Sequence, residues 1–280
     1  MSDPGIPNAL TVAGIDPSGG AGIYADLKAF SALGAYGCGV VAALTAQNTQ
    51  AVAGIHGVPP DFVRLQLDTL FADVRIDTAK IGMLGTAPIA RAVAEGLARP
   101  VAAGAPAHVV VDPVMVAKSG DSLLTQDATA MLVEAILPLA TLITPNLPEA
   151  GVLLQSNPAW TLTEMRARID DLRQLGSEWV LLKGGHLEGS PESVDILCGP
   201  AGKLEFAAPR IATTNDHGTG CTLSAAIAAL LPSRSVEDSV REAKAFMHGA
   251  LAASHALDVG HGHGPLHHFH RLWVEKRPVS

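Results

Sequence analysis

Six short apolar runs recur along the chain, and each of them leads into a polar or glycine-rich group. The runs are LTVAGID, CGVVAALTA, TAKIGML, HVVVDPVM, TLITPN and WVLLKGG, at residues 10–16, 38–46, 78–84, 108–115, 141–146 and 179–185. Strands that are apolar almost throughout, and that alternate with helices, are typical of a parallel sheet covered on both faces. We therefore predict an α/β fold, a three-layer α/β/α sandwich with a mostly parallel central sheet.

Stretches with helical spacing separate the runs, at residues 25–33, 60–71, 87–97, 125–137 and 161–175. In the first stretch Leu27, Phe30 and Leu33 share one face, and Gly34 follows as a stop signal. Residues 195–207 instead indicate a β-hairpin, which we expect at an edge of the sheet. Because no linker, repeat or break in composition divides the 280 residues, we predict a single domain over residues 1–280.

The balance of charge limits the partners of this chain. The formal charge of −8 argues against a nucleic acid or an anionic membrane surface, because either would need a basic face. Any phosphate site must be built locally, from backbone dipoles, a metal ion and one or two lysines.

The sequence also predicts where in the cell the protein is found. The N-terminus MSDPGIPNAL lacks the pattern of a signal peptide, and glycines and amides interrupt the uncharged stretch at residues 29–60. We therefore expect no membrane span. Cys38, Cys198 and Cys221 show neither metal-site spacing nor an even framework, which indicates a reducing compartment, the cytoplasm.

The groups at the strand ends include amides, an acid and a lysine: Gln47, Asp112, Asn146 and Lys183. In open α/β sheets, ligands bind beyond the carboxyl ends of the strands. Turn-forming residues at one strand end need no function, but this collection indicates a binding site.

The sequence GAGIYA at residues 20–25 matches the looser dinucleotide-binding pattern G-x-G-x-x-A. Residues 16–19 add a longer loop than that pattern needs, and VAALTAQNTQ supplies no acid at the end of the second run. A nicotinamide cofactor is therefore disfavoured. We expect Asp26, on the following helix, to point at the same edge of the sheet.

Two acids indicate a metal site. Glu149 follows Asn146 and Pro148, so it lies in the first turn of a helix, where an acid can simply compensate the helix dipole. Asp112 adds a second carboxylate at the same edge. Two carboxylates suit Mg²⁺, which takes its other ligands from water and phosphates.

Two glycine-containing segments indicate phosphate binding. Lys183 is followed by two glycines, which favours a nucleotide phosphate over a structural ion pair. In the segment Gly218-Thr219-Gly220-Cys221, a glycine turn leads into a helix of small residues, and N–H groups at such a turn form an anion site. The same position should lower the pKa of the Cys221 thiol. From the residues alone, Cys221 is a nucleophile, a proton acceptor or a buried structural residue.

With G-T-G-C, N-x-x-E, a strand-end aspartate and K-G-G in this order, the chain resembles the ribokinase-like superfamily. An aspartate, the catalytic base, occupies the Cys221 position in most of that superfamily. Cysteine there, together with AGIDPSGGAGIYADLKAFSALGAYG, TAQNTQ, KIGML, DPVMVAKSGD, LITPNLPEA, LLKGGH and GHGPLHHF, resembles the hydroxymethylpyrimidine/phosphomethylpyrimidine kinases of thiamine biosynthesis. The resemblance covers a core at about residues 9–270.

The resemblance implies ATP-dependent phosphorylation of 4-amino-5-hydroxymethyl-2-methylpyrimidine and then of its monophosphate, with ATP and Mg²⁺, in a homodimer. It also implies that Cys221 accepts the proton of the substrate hydroxyl. The further roles it implies are γ-phosphate binding by the N–H groups of Gly218, Thr219, Gly220 and Cys221; Mg²⁺ binding by Asp112 and Glu149; nucleotide binding by Lys183; and pyrimidine binding by Gln47, Gly14, Asp26 and Met83.

Three alternatives stay open. A pyridoxal kinase is the nearest, since this branch of the superfamily accepts both vitamin precursors. A thiol hydrolase using Cys221 with His217 or His248 predicts turnover without ATP. A non-catalytic pyrimidine-binding regulator predicts binding without release of ADP. The stretch HGHGPLHHFH at residues 261–270 could gather a transition metal, but no other ligand has defined spacing, so we favour a structural or substrate-gating role.

Overall fold

The computed structural model describes residues 5–115, 125–156, 160–187 and 189–273, so residues 116–121 of the DPVMVAKSGD stretch lie outside it. The strands within these residues are β1 (Asn8–Ile15), β2 (Tyr36–Gln47), β3 (Val52–Gly57), β4 (Thr78–Ile81), β5 (His108–Val111), β6 (Leu142–Ile143), β7 (Trp179–Leu182), β8 (Glu192–Gly199) and β9 (Gly202–Pro209). They form one sheet in the order β3-β2-β1-β4-β5-β6-β7-β8-β9.

The six apolar runs form the parallel centre of this sheet. Strands β2, β1, β4, β5, β6 and β7 are all parallel to one another, which confirms the predicted fold. Several strands are shorter than their runs, because the runs include the polar groups beyond each strand. β3 is antiparallel to β2, and β8 and β9 form the predicted hairpin at the other edge.

The helices in the described residues are α1 (Gly22–Ala32), α2 (Pro60–Phe71), α3 (Ala87–Ala102), α4 (Gln126–Met131), α5 (Leu147–Leu153), α6 (Leu162–Arg173), α7 (Thr219–Leu230) and α8 (Val236–Ala252). All five predicted helical stretches are present, and α8 is an addition that the sequence analysis does not predict. Within this part of the chain, no helix combines the length and the apolar character that a membrane crossing requires.

Helices cover both faces of the sheet. Val109 and Val111 of β5 pack in the core on one face, with residues of α2, α3 and α6. Val110, between them, packs in the core on the other face, with residues of α1, α7 and α8. Because successive side chains of a strand point to opposite faces, a strand buried on both sides must be apolar throughout. This explains the continuous runs and gives the three layers.

Candidate active site

A cavity of about 450 Å³ lies at the carboxyl edge of the parallel strands. It is lined by every residue predicted for the site except Asp26: Gly14, Gln47, Met83, Asp112, Glu149, Lys183, Gly218, Thr219, Gly220 and Cys221. These residues come from loops that follow different strands and from the starts of two helices. Their proximity is a finding of the structure, whereas their individual roles stay predictions.

The glycine turn places the start of α7 at this cavity. Gly218 adopts the left-handed conformation, with φ at 80° and ψ at 16°. A Cβ atom here would lie 1.8 Å from the carbonyl oxygen of Gly20, so the position admits only glycine. The first N–H groups of a helix have no partner within it, which leaves those of Thr219 and Gly220 as donors for an anion.

Cys221 is a half-buried residue at this helix start. Burial raises the pKa of Cys221 to about 11; Lys80 opposes the rise, while Asp26 and Asp112 add to it. The expectation of a lowered pKa is therefore wrong, because removal from water outweighs the nearby cation. Positive charge held close to the sulfur is thus important for any use of this thiol as a base.

Asp112 and Lys183 form an ion pair at the centre of the cavity. Lys183 Nζ lies 2.8 Å from Asp112 Oδ1, and both side chains are nearly buried. Thr144 Oγ1 donates to the same carboxylate oxygen at 3.2 Å. Although burial raises the pKa of Asp112, Lys183 and Lys80 together hold it below its ordinary value, so this carboxylate is charged at neutral pH.

The Glu149 side chain caps α5, the helix in whose first turn it lies. The Asn146 side chain accepts from Glu149 N at 2.9 Å, and Glu149 Oε2 accepts from Asn146 N at 2.8 Å, which makes a complete capping box. Burial raises the pKa of Glu149 to about 7; Lys183 opposes this and the charge of Asp112 adds to it. Two carboxylates that disfavour each other's charge suit a divalent cation, so the donor set fits Mg²⁺.

Gln47 and Met83 also line the cavity. Thr45 Oγ1 lies 2.8 Å from Ile15 O and 3.2 Å from Gln47 Oε1, and its single proton can be donated to either oxygen. A Cβ atom on Gly14 would lie 2.6 Å from Cε of Met83. Glycine at this position therefore leaves room for the methionine side chain against the strand.

Asp26 differs from its predicted position. Its side chain is fully buried beneath the cavity, where both carboxylate oxygens contact Lys80 Nζ, at 2.8 and 3.0 Å. It therefore does not contact a ligand in the cavity itself, whereas its partner Lys80 does line the cavity. The sequence analysis missed Lys80, although a lysine inside the apolar run TAKIGML is a visible signal of a buried charge.

A second missed pair joins two loops of the site. His217 Nε2 lies 2.7 Å from Asp16 Oδ2, and the same oxygen accepts from Ala21 N at 3.0 Å. His248 Nε2 instead lies 3.1 Å from Pro209 O. In the described part of the chain, no hydrogen bond joins Cys221 to either histidine, so the geometry gives no support to a thiol hydrolase. The only sequence signal for His217 is its place directly before the glycine turn.

The histidine-rich segment packs against this end of the fold. The ring of His268 is buried, with Nε2 2.9 Å from Thr222 Oγ1 on α7, and His263 N donates to Thr49 O at 2.9 Å. The segment thus contacts α7 and the loop after Gln47.

Comparisons with known proteins agree with this site. The family model described as phosphomethylpyrimidine kinase matches residues 16–267. The hydroxymethylpyrimidine/phosphomethylpyrimidine kinase of Escherichia coli (strain K12) is 55% identical over 95% of this chain and 98% of that protein. A phosphomethylpyrimidine kinase structure from Clostridium difficile 630 is 37% identical, with a TM-score of 0.76 over 87% of this chain and 99% of that one.

Pyridoxal kinases share the fold as well. The Bacillus subtilis pyridoxal kinase, solved as an ADP complex, has a TM-score of 0.86 and 33% identity over 95% of this chain and 99% of that one. The family model distinguishes between these two kinds of kinase. The high identity to the kinase of Escherichia coli, over nearly the full length of both chains, agrees with it. The chain belongs to the phosphomethylpyrimidine kinase family.

Proposed function

We propose that this protein transfers the γ-phosphoryl group of ATP to 4-amino-5-hydroxymethyl-2-methylpyrimidine and then to the resulting monophosphate, which gives the diphosphate for thiamine biosynthesis. The observation that best supports this function is that the glycine turn, Cys221, Asp112, Glu149 and Lys183 all line one cavity. Phosphoryl transfer needs such an arrangement, because most of its catalysis is positioning and stabilisation of charge.

In the first transfer, Cys221 accepts the proton of the hydroxymethyl group as its oxygen attacks the γ-phosphorus and ADP leaves. The N–H groups of Gly218, Thr219, Gly220 and Cys221 hold the migrating phosphoryl group. These donors are fixed by the left-handed turn at Gly218 and need no reorganisation during the reaction.

Asp112 and Glu149 would hold Mg²⁺, Glu149 through water, and Lys183 would contact the nucleotide phosphates. The metal ion would neutralise charge on those phosphates when it is bound. The contribution of the chain is to keep Asp112 ionised, through Lys183 and Lys80, and to keep Glu149 in place through its capping box.

Gln47 would pair with the ring nitrogen and exocyclic amine of the pyrimidine, and Gly14 and Met83 would flank the ring. The place of Gln47 in the cavity lining supports this role, since an amide carries both a donor and an acceptor. Asp26 would act through Lys80, because its own carboxylate is fully buried.

We also propose that residues 1–280 form one kinase domain, that two copies form a homodimer, and that the protein is cytoplasmic. Leu44 and Ile55 are both exposed at the β3 edge, on opposite faces of the sheet, and this apolar surface supports an interface. The three free cysteines fit a reducing compartment. Light scattering on the purified protein measures the oligomeric state directly.

A pyridoxal kinase is the second candidate, supported by the 33% identity and TM-score of 0.86 to the Bacillus subtilis enzyme. Purified protein is incubated with Mg-ATP and either hydroxymethylpyrimidine or pyridoxal, and phosphorus NMR follows the products. We expect ADP with a monophosphate and then a diphosphate from the pyrimidine. Faster turnover of pyridoxal would favour the second candidate, and absence of ADP with either acceptor would reject both.

A further inference from the structure

A buried ion pair lies under the acceptor end of the cavity. Lys80 of β4 and Asp26 of α1 are both 0% exposed, and Thr11 Oγ1 donates to Asp26 Oδ2 at 2.6 Å. Thr11 and Lys80 are register partners on the neighbouring strands β1 and β4, so the three side chains lie on the same face of the sheet. A buried ion pair is weak evidence for stability, because removing both charges from water costs much of what their attraction returns.

The two residues of the pair are placed differently relative to the cavity. Lys80 lines the cavity and Asp26 does not, so Lys80 is the nearer of the two charged residues to a ligand there, although its side chain is fully buried. In the described residues, Nζ has no hydrogen-bond acceptor other than the two oxygens of Asp26. Consistently, among the charged groups, Lys80 has the largest effect on the pKa of Cys221 and lowers it, whereas Asp26 raises it less.

The two acceptors of the proposed reaction differ at the reacting atom. The first is an alcohol, whose proton must be removed. The second is a phosphate monoester, whose second pKa is about 6, so it is mostly a dianion at neutral pH. One of its oxygens forms a bond to the γ-phosphorus, the bond to the β–γ bridging oxygen breaks, and ADP leaves with those electrons. No proton is removed from this acceptor, but its negative charge must be held beside the charge of the γ-phosphate.

We propose that Lys80, held by Asp26, is a positioning residue that makes the acceptor end of the cavity electropositive and favours the phosphate monoester as the second acceptor. The proposal rests on the proposed function, which places the acceptor phosphate beside Cys221. At an effective dielectric constant of about 20, the attraction of a phosphate by Lys80 exceeds the repulsion by the more distant Asp26, and this difference changes affinity by about tenfold. The same charge acts less on a neutral alcohol.

The test compares two variants that neutralise buried pairs. Lys80→Met with Asp26→Asn removes the charges of this pair and leaves no unpaired ion. Lys244→Met with Asp195→Asn is the matched control, since Lys244 Nζ lies 2.6 Å from Asp195 Oδ2, both side chains are nearly buried, and neither lines the cavity. Asp195 also accepts from Gly184 N, next to Lys183, so the readout is acceptor binding measured without ATP.

Isothermal titration calorimetry gives the affinity for the monophosphate and for hydroxymethylpyrimidine. We expect the Lys80 and Asp26 variant to lower the ratio of monophosphate affinity to hydroxymethylpyrimidine affinity by about tenfold. The control variant should keep the ratio of the two affinities. A purely structural role would weaken both ligands equally, and an unchanged ratio overturns the proposal.

Two further measurements make the outcome unambiguous. If the double variant fails to fold by circular dichroism, Lys80→Gln with Asp26→Asn, which also leaves no unpaired ion, is measured in its place, with the same predicted change in the ratio. If the unmodified protein binds neither pyrimidine and produces no ADP, the proposed function itself fails. If the unmodified protein is active and only the ratio fails to change, the role of Lys80 alone is rejected.

Discussion

Lys183 Nζ lies 2.8 Å from Asp112 Oδ1, so the side chain proposed for the nucleotide phosphates and one proposed for Mg²⁺ neutralise each other in the structure. Binding of Mg²⁺ or of a nucleotide phosphate would disrupt this ion pair. A metal ion would replace the ammonium group beside Asp112 and leave Lys183 for a phosphate. Under the proposed roles, the pair would therefore couple nucleotide binding to the presence of the metal.

Asp112→Asn should raise the Mg²⁺ concentration required for half-maximal turnover by at least about tenfold, because a neutral amide is a poorer ligand for this cation. The same change leaves Lys183 unpaired, so ATP without Mg²⁺ should bind no more weakly than before. Magnesium titrations of ADP release and calorimetry with ATP alone measure the two effects. Asp170→Asn, at an exposed acid of α6, is the control, and an unchanged magnesium requirement for Asp112→Asn would disprove the metal assignment.

Gly220→Ala should reduce turnover without destabilising the fold. A Cβ atom there would lie 3.2 Å from Lys183 Nζ and 3.5 Å from Asp112 Oδ2, so the methyl group narrows the proposed phosphate site. Alanine is also favoured over glycine inside a helix by about 1 kcal/mol. Urea unfolding and ADP release together check this. Gly54→Ala, in β3 with nothing near its Cβ position, is the control. Normal turnover of Gly220→Ala would mean that the phosphoryl group binds elsewhere.

Gln47→Leu should weaken the binding of hydroxymethylpyrimidine by at least about tenfold, since the two proposed hydrogen bonds to the ring are lost. Binding of ATP should stay within about twofold. Gln50→Leu, an exposed residue of the same loop, is the control. The measurement is calorimetry with each ligand separately. If both variants bind the pyrimidine alike, Gln47 does not recognise the ring.

The parallel sheet could be predicted because its centre is buried on both faces, which forces the continuous apolar runs. β3 could not, because five of its six residues are exposed and carry no apolar pattern. Helix α8 had a usable signal in Ser235, whose side chain accepts from Asp238 N at 3.1 Å as an N-cap.

The site was predictable where its residues follow strands, as Asp112 and Lys183 do. The site was less predictable where it depends on contacts between a strand and a helix that are distant in the sequence. The sequence places Lys80 in a strand and Asp26 in a helix, but it does not show that they pair beneath the cavity. The pKa of Cys221 was mispredicted for the same reason, because the helix start is visible in the sequence and the burial around the thiol is not.

His268 should make stability depend on pH. Burial, with a smaller contribution from Lys28, lowers the pKa of His268 from 6.5 to about 4, so the folded protein favours the neutral ring. This contribution to stability is complete above pH 6.5 and is lost as the pH falls towards 4, by about 2.5 kcal/mol at pH 4.5.

Urea unfolding at pH 7 and pH 4.5 measures that dependence. His268→Gln should show a smaller loss of stability between the two pH values, whereas His56→Gln, at an exposed position in β3, should behave like the unmodified protein. Equal losses in all three proteins would show that His268 does not titrate in this range.

The most direct test of the central claim is the rate of each phosphoryl transfer in Cys221→Ala, with hydroxymethylpyrimidine and with its monophosphate supplied separately. A general base contributes about 10²- to 10⁴-fold, so turnover of the alcohol should fall by at least about 100-fold while the affinity for ATP stays nearly unchanged. Turnover of the monophosphate, which has no proton to lose, should fall far less. Near-normal turnover of the alcohol would contradict the assignment of Cys221 as the base.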